Sequence, residues 1–158
     1  LTTGITPSDP QRKEGIVTQP MQTATPVLTV TTQSKSNDIG IITLIGDYVE
    51  GGMNHGRKYF KKVQKIKGHE DIQVFLYYWD TRDGADFGGW WFGDALGGTQ
   101  VWARSNSHGA MPPRIGWKVP WDAPKAEPGI LFCDPYSGKP TATPDPASAS
   151  AANSNAPL

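Results

Sequence analysis

The stretch Ile72-Gln73-Val74-Phe75-Leu76-Tyr77-Tyr78-Trp79 decides the fold. In an extended chain successive side chains point to opposite faces. Ile72, Val74, Leu76 and Tyr78 then share one face, and Phe75, Tyr77 and Trp79 share the other. Both faces are apolar, so the stretch reads as a central strand of a sheet.

Outward from it, Asp80-Thr81-Arg82-Asp83-Gly84 reads as a turn with Gly84 in a left-handed position. Residues 89–92 and 100–104 read as short strands joined across the glycines of 93–98. Upstream, residues 41–49 are apolar and β-branched and read as a strand broken by Gly51 and Gly52. Asn54-His55-Gly56 reads as a turn. Residues 57–66 carry Tyr59, Val63 and Ile66 at helical spacing, yet the aromatic pair and the flanking glycines favour a strand. Pro112-Pro113 is a stiff corner, and residues 116–121 read as the last strand, ended by Pro120 and Pro124. The expected class is all-β, a small antiparallel barrel or curled sheet of about six short strands.

Fourteen of the sixteen aromatic residues, including all six tryptophans, fall between Tyr48 and Trp121. Aromatic rings supply much of the burial energy of a small domain, so the core is placed there. Residues 39–123 are expected to be the tryptophan-rich β domain. Residues 1–38 are rich in Thr, Gln, Ser and Pro and are expected to be a disordered linker, with one docking strand conceivable at Val27, Leu28 and Val30. Residues 124–158 are expected to be a disordered Pro/Ala/Ser-rich tail, in which only Ile130, Leu131 and Phe132 could fold back.

Fifteen basic and fifteen acidic side chains cancel in a chain of 158 residues. Net charge therefore encodes no attraction to nucleic acid or anionic lipid. The single cysteine, Cys133, excludes an intramolecular disulfide and makes a reducing, cytoplasmic compartment the default expectation. No apolar run is long enough to cross a bilayer, so no membrane partner is expected.

Three groups of residues invite a chemical reading. Trp90 and Trp91 are adjacent and must face opposite sides of a strand, so at least one, with Trp91 the first choice, is expected at the surface. Asp80, Asp83, Asp86 and Asp94 lack the ligand spacing of a calcium loop and read as turn acceptors; no metal and no cofactor is expected. Arg57, Lys58, Lys61, Lys62, Lys65 and Lys67 interleave with Tyr59 and Phe60, a pattern of single-strand nucleic-acid binders. Carboxylates follow at Glu70 and Asp71, and cross-strand charge pairing explains the pattern as well, so nucleic acid is not expected. His55, His69 and His108 show no zinc spacing with Cys133, and no nucleophile elbow surrounds Ser105 or Ser107. The chain is expected not to be an enzyme.

Trp90-Trp91-Phe92-Gly93 with Gly97-Gly98 resembles the Trp-Trp-x-Gly segment of SH3 domains. That likeness implies that Trp90 packs on proline-bearing ligands. The Ala-Leu-Tyr-Asp-Tyr opening and the terminal Pro-x-x-Tyr of those domains are missing. A longer series lies between Gly46 and Asp122. It runs Asn54-His55-Gly56-Arg57-x-Tyr59, Tyr77-Tyr78-Trp79-Asp80, Gly89-Trp90-Trp91-Phe92-Gly93, Gly97-Gly98, Val101-Trp102-Ala103 and Pro112-Pro113-x-x-Gly116-Trp117. The series resembles a tryptophan-rich module of large multidomain proteins in unicellular algae and other protists. The resemblance implies an autonomous β module within a longer chain and carries over no catalytic residue.

Together these readings predict a non-catalytic module that recognises a protein or proline-bearing peptide segment. A stacking platform of Trp91, Tyr78 and Trp102, with Trp90 as the SH3-like position, would hold the ligand. Arg57 or Arg82 would orient its polar groups. Two alternatives are a carbohydrate-binding module and a purely structural spacer repeat. A planar row of exposed rings would favour sugar, and a V-shaped groove would favour peptide.

Overall fold

Asn54 pairs with Arg57 across a two-residue loop whose members, His55 and Gly56, both have positive φ (51° and 80°). That geometry matches the right-handed twist of the flanking strands and sets the register of the first hairpin. The computed structural model describes residues 25–141. Of the stretches expected to be disordered, 1–38 and 124–158, residues 1–24 and 142–158 lie outside the described residues, and the remainder carries two strands.

Among the described residues, seven antiparallel strands form one curled sheet. In chain order they are β1 (Leu28–Thr31), β2 (Gly46–Asn54), β3 (Arg57–Lys62), β4 (Phe75–Trp79), β5 (Gly89–Gly93), β6 (Val101–Ser105) and β7 (Phe132–Pro135). Their spatial order is β6-β5-β4-β3-β2-β1-β7, an up-and-down meander whose last strand returns beside the first. The all-β expectation holds, and β4 lies inside the sheet, paired with β3 on one side and β5 on the other.

The pleat divides the aromatic residues as the alternation requires. Leu76 faces Phe92 and Tyr78 faces Trp90 across the β4–β5 pair; Tyr77 faces Trp91 on the opposite side of the sheet. The first side is the core. It holds Val30, Leu44, Tyr48, Phe60, Leu76, Trp90, Phe92, Ala103 and Trp117, all at or near zero exposure. Tyr48 meets Phe92 edge-on at 5.8 Å, and Trp117 meets Phe92 at 4.9 Å.

Three expectations need correction. Residues 41–49 are not one strand: Ile39–Ile42 is a short helical turn, α1, started by Asp38, whose carboxylate accepts the Gly40 N–H at 2.7 Å. A run of isoleucines serves a helical turn and a strand alike, and the cap decides between them. Gly51 and Gly52 do not end β2; a register shift between Glu50 and Gly52 lets it run on to Asn54. Residues 116–121 form no strand. Lys118 bridges Arg104 through paired backbone bonds of 2.8 and 3.1 Å, while the Arg114 carbonyl accepts the Cys133 N–H at 3.0 Å. Residues 114–118 thus form a closing segment across the outer edges of β6 and β7, with Trp117 plugged into the core beneath it.

The sheet also exceeds the expected bounds of 39–123. β1 and β7 pair through Leu28–Pro135, Thr29–Asp134, Val30–Cys133 and Thr31–Phe132. Of the apolar residues noted in the flanks, Leu28, Val30, Ile130 and Leu131 join the core or pack on it, while Val27 is exposed.

Candidate functional site

The face of the sheet away from the core carries Tyr77 and Trp79 on β4 and Trp91 on β5. After β4, Asp80 accepts the Arg82 N–H at 3.0 Å and starts two single turns of 3-10 helix, Thr81–Asp83 and Ala85–Phe87. Gly84 joins them at φ 115°, a value that suits glycine. These turns lift Asp83 and Phe87 beside Trp79 and Trp91. After β5, the loop at Gly97 and Gly98 closes the opposite side, and Trp121 arrives from beyond the closing segment.

The result is an open groove of about 320 Å³ lined by Tyr77, Trp79, Asp83, Phe87, Trp91, Gly97, Gly98, Val101 and Trp121. Its walls are aromatic rings and its single charged lining residue is Asp83. Trp91 and Trp121 approach to 5.6 Å with planes inclined by 44°; Tyr77 and Trp79 meet at 6.3 Å and 79°. The rings therefore form a V and not a flat row.

Two indole N–H groups of the groove are already spent. Trp79 Nε1 donates to Asp83 Oδ2 at 2.9 Å, and Trp91 Nε1 donates to the Phe87 carbonyl at 2.9 Å. What these tryptophans offer a ligand is ring surface. His55 takes part of Trp79, stacked at 4.0 Å with its plane tilted by 32°. Trp91 is 6% exposed and forms the floor; Phe87 is 43% exposed and forms the rim, with Trp79 and Trp121 half-buried between.

Burial pushes the Tyr77 phenol up to about 12, so its hydroxyl stays neutral across the physiological range. Hydrogen bonding to Arg82 holds the Asp80 carboxyl well below the ordinary carboxylate range. Arg82 is committed to Asp80 through two side-chain bonds of 2.9 and 3.0 Å, and its guanidinium lies 6.0 Å from the Trp79 ring.

The structure separates most of the residues expected to act together. Trp91 is in the groove, but as its buried floor and not as an exposed platform. Trp90 is fully buried in the core, with its N–H on the Gly109 carbonyl at 3.1 Å. Tyr78 shares that core face and is 6% exposed, its hydroxyl 2.8 Å from His108 Nδ1. Trp102 lies apart, beside Ile72, Asp94 and Gln100. Arg57 holds the carbonyls of His108 and Gly109 at 2.7 and 2.9 Å and covers the Tyr78 ring at 4.1 Å. Arg82 alone of the expected cations stands at the groove's margin.

Sequence reasoning missed Tyr77, Trp79, Asp83, Phe87 and Trp121. Strand parity places Tyr77 and Trp79 with Trp91, so that part of the signal was present. The loop contributions carried none.

Among the described residues no three of His, Cys, Asp and Glu gather as a metal-ligand set, and no helix is long and apolar enough to cross a membrane. Cys133 is buried, and burial pushes its thiol up to about 12. Comparison with protein-family models, curated proteins and solved structures yields no match for this chain.

Proposed function

We propose that this chain is a non-catalytic interaction module that takes an extended protein segment into the groove between Trp79, Trp91 and Trp121. The observation that carries the reading is the angle between the rings, 44° for Trp91 with Trp121 and 79° for Tyr77 with Trp79. A sugar chain stacks on rings set side by side in one plane and brings hydroxyls that need partners. The inclined rings and the scarcity of polar lining groups support a peptide side chain or proline ring entering a V. The likeness to tryptophan-rich modules of multidomain algal and protist proteins fits the same reading, one binding unit among several in a longer chain.

The test is a peptide and glycan array probed with the full chain, followed by Trp79→Ala on every hit. The reading expects peptide hits that the variant loses. Glycan hits lost in the variant would establish the carbohydrate alternative, and an array with no hit would favour a structural spacer.

A further inference from the structure

We propose that the group held by the groove is a methylated ammonium, the side chain of a methylated lysine in a protein segment. This rests on the groove being a binding site and names the chemistry it selects. The groove combines inclined ring faces with one carboxylate, Asp83, and no basic lining residue. Arg104 stands over Trp91 at 5.5 Å and Arg82 near Trp79 at 6.0 Å, so these rings already meet cations. Ring faces attract cations through their quadrupole, and a cation enclosed by several rings gains from each. The carboxylate adds a matching charge at the groove wall.

Donor counting chooses the kind of cation. An unmodified lysine ammonium brings three N–H donors into the groove. The one carboxylate there already accepts the Trp79 N–H at 2.9 Å, so most of those donors would lose water without replacement. A trimethylated ammonium keeps the charge, brings no N–H donor and presents methyl groups to the rings. A guanidinium is likewise short of acceptors in this groove. The exposed Phe87 and half-buried Trp79 and Trp121 leave the mouth open to a side chain reaching in from a bound segment.

The test follows the indole N–H resonances of the isotope-labelled full chain, with Trp79→Phe and Trp91→Phe variants for assignment. The probes are choline, its neutral isostere 3,3-dimethylbutan-1-ol, and peptides carrying lysine or trimethyl-lysine. The inference expects choline and the trimethyl-lysine peptide to shift the Trp79 and Trp91 signals to saturation. The isostere and unmodified peptide should bind at least about tenfold more weakly. Asp83→Asn should weaken choline several-fold while leaving the fold intact, and Trp79→Ala should abolish the response. Equal binding of isostere and choline, or no shift of the two signals by either cation, overturns the inference. So does retention on phosphatidylcholine vesicles that trimethyl-lysine peptide fails to displace, since the source would then be a lipid headgroup. An array peptide that lacks lysine and is lost with Trp79→Ala would leave the groove reading standing while this one falls.

Discussion

Trp121 lies against Trp91 with ring centroids 5.6 Å apart, although Trp121 belongs to no strand and reaches the groove from a loop. Trp117, four positions earlier, goes the other way, fully buried against Phe92. One short segment therefore supplies a ring to the core and another to the groove. Trp117→Ala should cost about 3–5 kcal/mol, the range for a fully buried large aromatic. Trp121→Ala should cost only about 1 kcal/mol, near the worth of one aromatic pair. Urea denaturation of both variants checks the difference; equal losses would place Trp121 in the core.

Gly97 touches the groove directly. A Cβ there would stand 2.7 Å from the Trp79 ring, and φ is +69°. Gly97→Ala should lose about 1 kcal/mol to backbone strain and displace Trp79, weakening any groove ligand. Gly56→Ala is the matched control, with φ +80° and nothing within 4 Å of the added carbon. It should show the same loss of stability and unchanged binding. Parallel melting and titration of the two variants separate strain from groove geometry.

Lys62 is buried on the core side of β3, with its ammonium on the Thr43 carbonyl at 2.9 Å. Burial lowers its pKa from 10.5 to about 8. Between these values the unfolded chain binds more protons than the folded one, so Lys62 makes stability rise with pH through that window. Cys133, Tyr48 and Tyr77 are shifted upward by burial and work in the opposite direction at higher pH. They are common to the wild type and Lys62→Met, so the difference between the two proteins isolates the lysine. From pH 7.5 to 9.5 the wild type should gain on the order of 2 kcal/mol relative to the variant, the value of the shift at 1.36 kcal/mol per unit. Urea midpoints at the two pH values measure it, and a constant difference would contradict a buried charge.

Asp47 ties three distant parts together. It accepts the Thr29 hydroxyl at 3.0 Å, the Gln64 amide at 2.9 Å, and the Thr141 N–H and hydroxyl at 2.8 and 2.7 Å. Burial raises its pKa, but the bonds from Thr141, Gln64 and Thr29 outweigh that and leave it below 3.8. Its contribution is present above the ordinary carboxylate pKa and fades as pH falls below it. Asp47→Ala strands several part-buried donors and should cost about 2 kcal/mol. Hydrogen exchange at the Thr141 amide should accelerate in the variant; unchanged protection would mean that this carboxylate does not hold the residue.

The sheet was legible wherever one short run carried its own alternation. Leu76 and Tyr78 against Tyr77 and Trp79, and Trp90 against Trp91, sorted to two faces as the pleat requires. The flanking strands were legible only as short apolar clusters, because β1 and β7 pair across the length of the domain and neither has a local pattern sufficient to define it. The helical turn at Ile39 was hidden because its residues are equally at home in a strand, and only the Asp38 cap distinguishes them. The site was legible in part. Trp91 was placed on the outward face, but Tyr78 was joined to it against parity, and Trp102 was joined to it although it packs against the core beside a register shift. Trp121, Phe87 and Asp83 arrive on loops and short turns, whose course depends on tertiary closure.

The central claim is that ligand meets the face carrying Trp79 and not the surface carrying Trp102. Isothermal titration of an array-selected peptide against Trp79→Ala and Trp102→Ala tests it most directly. The account predicts a loss on the order of tenfold or more for Trp79→Ala, as for a central aromatic anchor, and affinity within about twofold of wild type for Trp102→Ala. Full affinity in Trp79→Ala with loss in Trp102→Ala would contradict it.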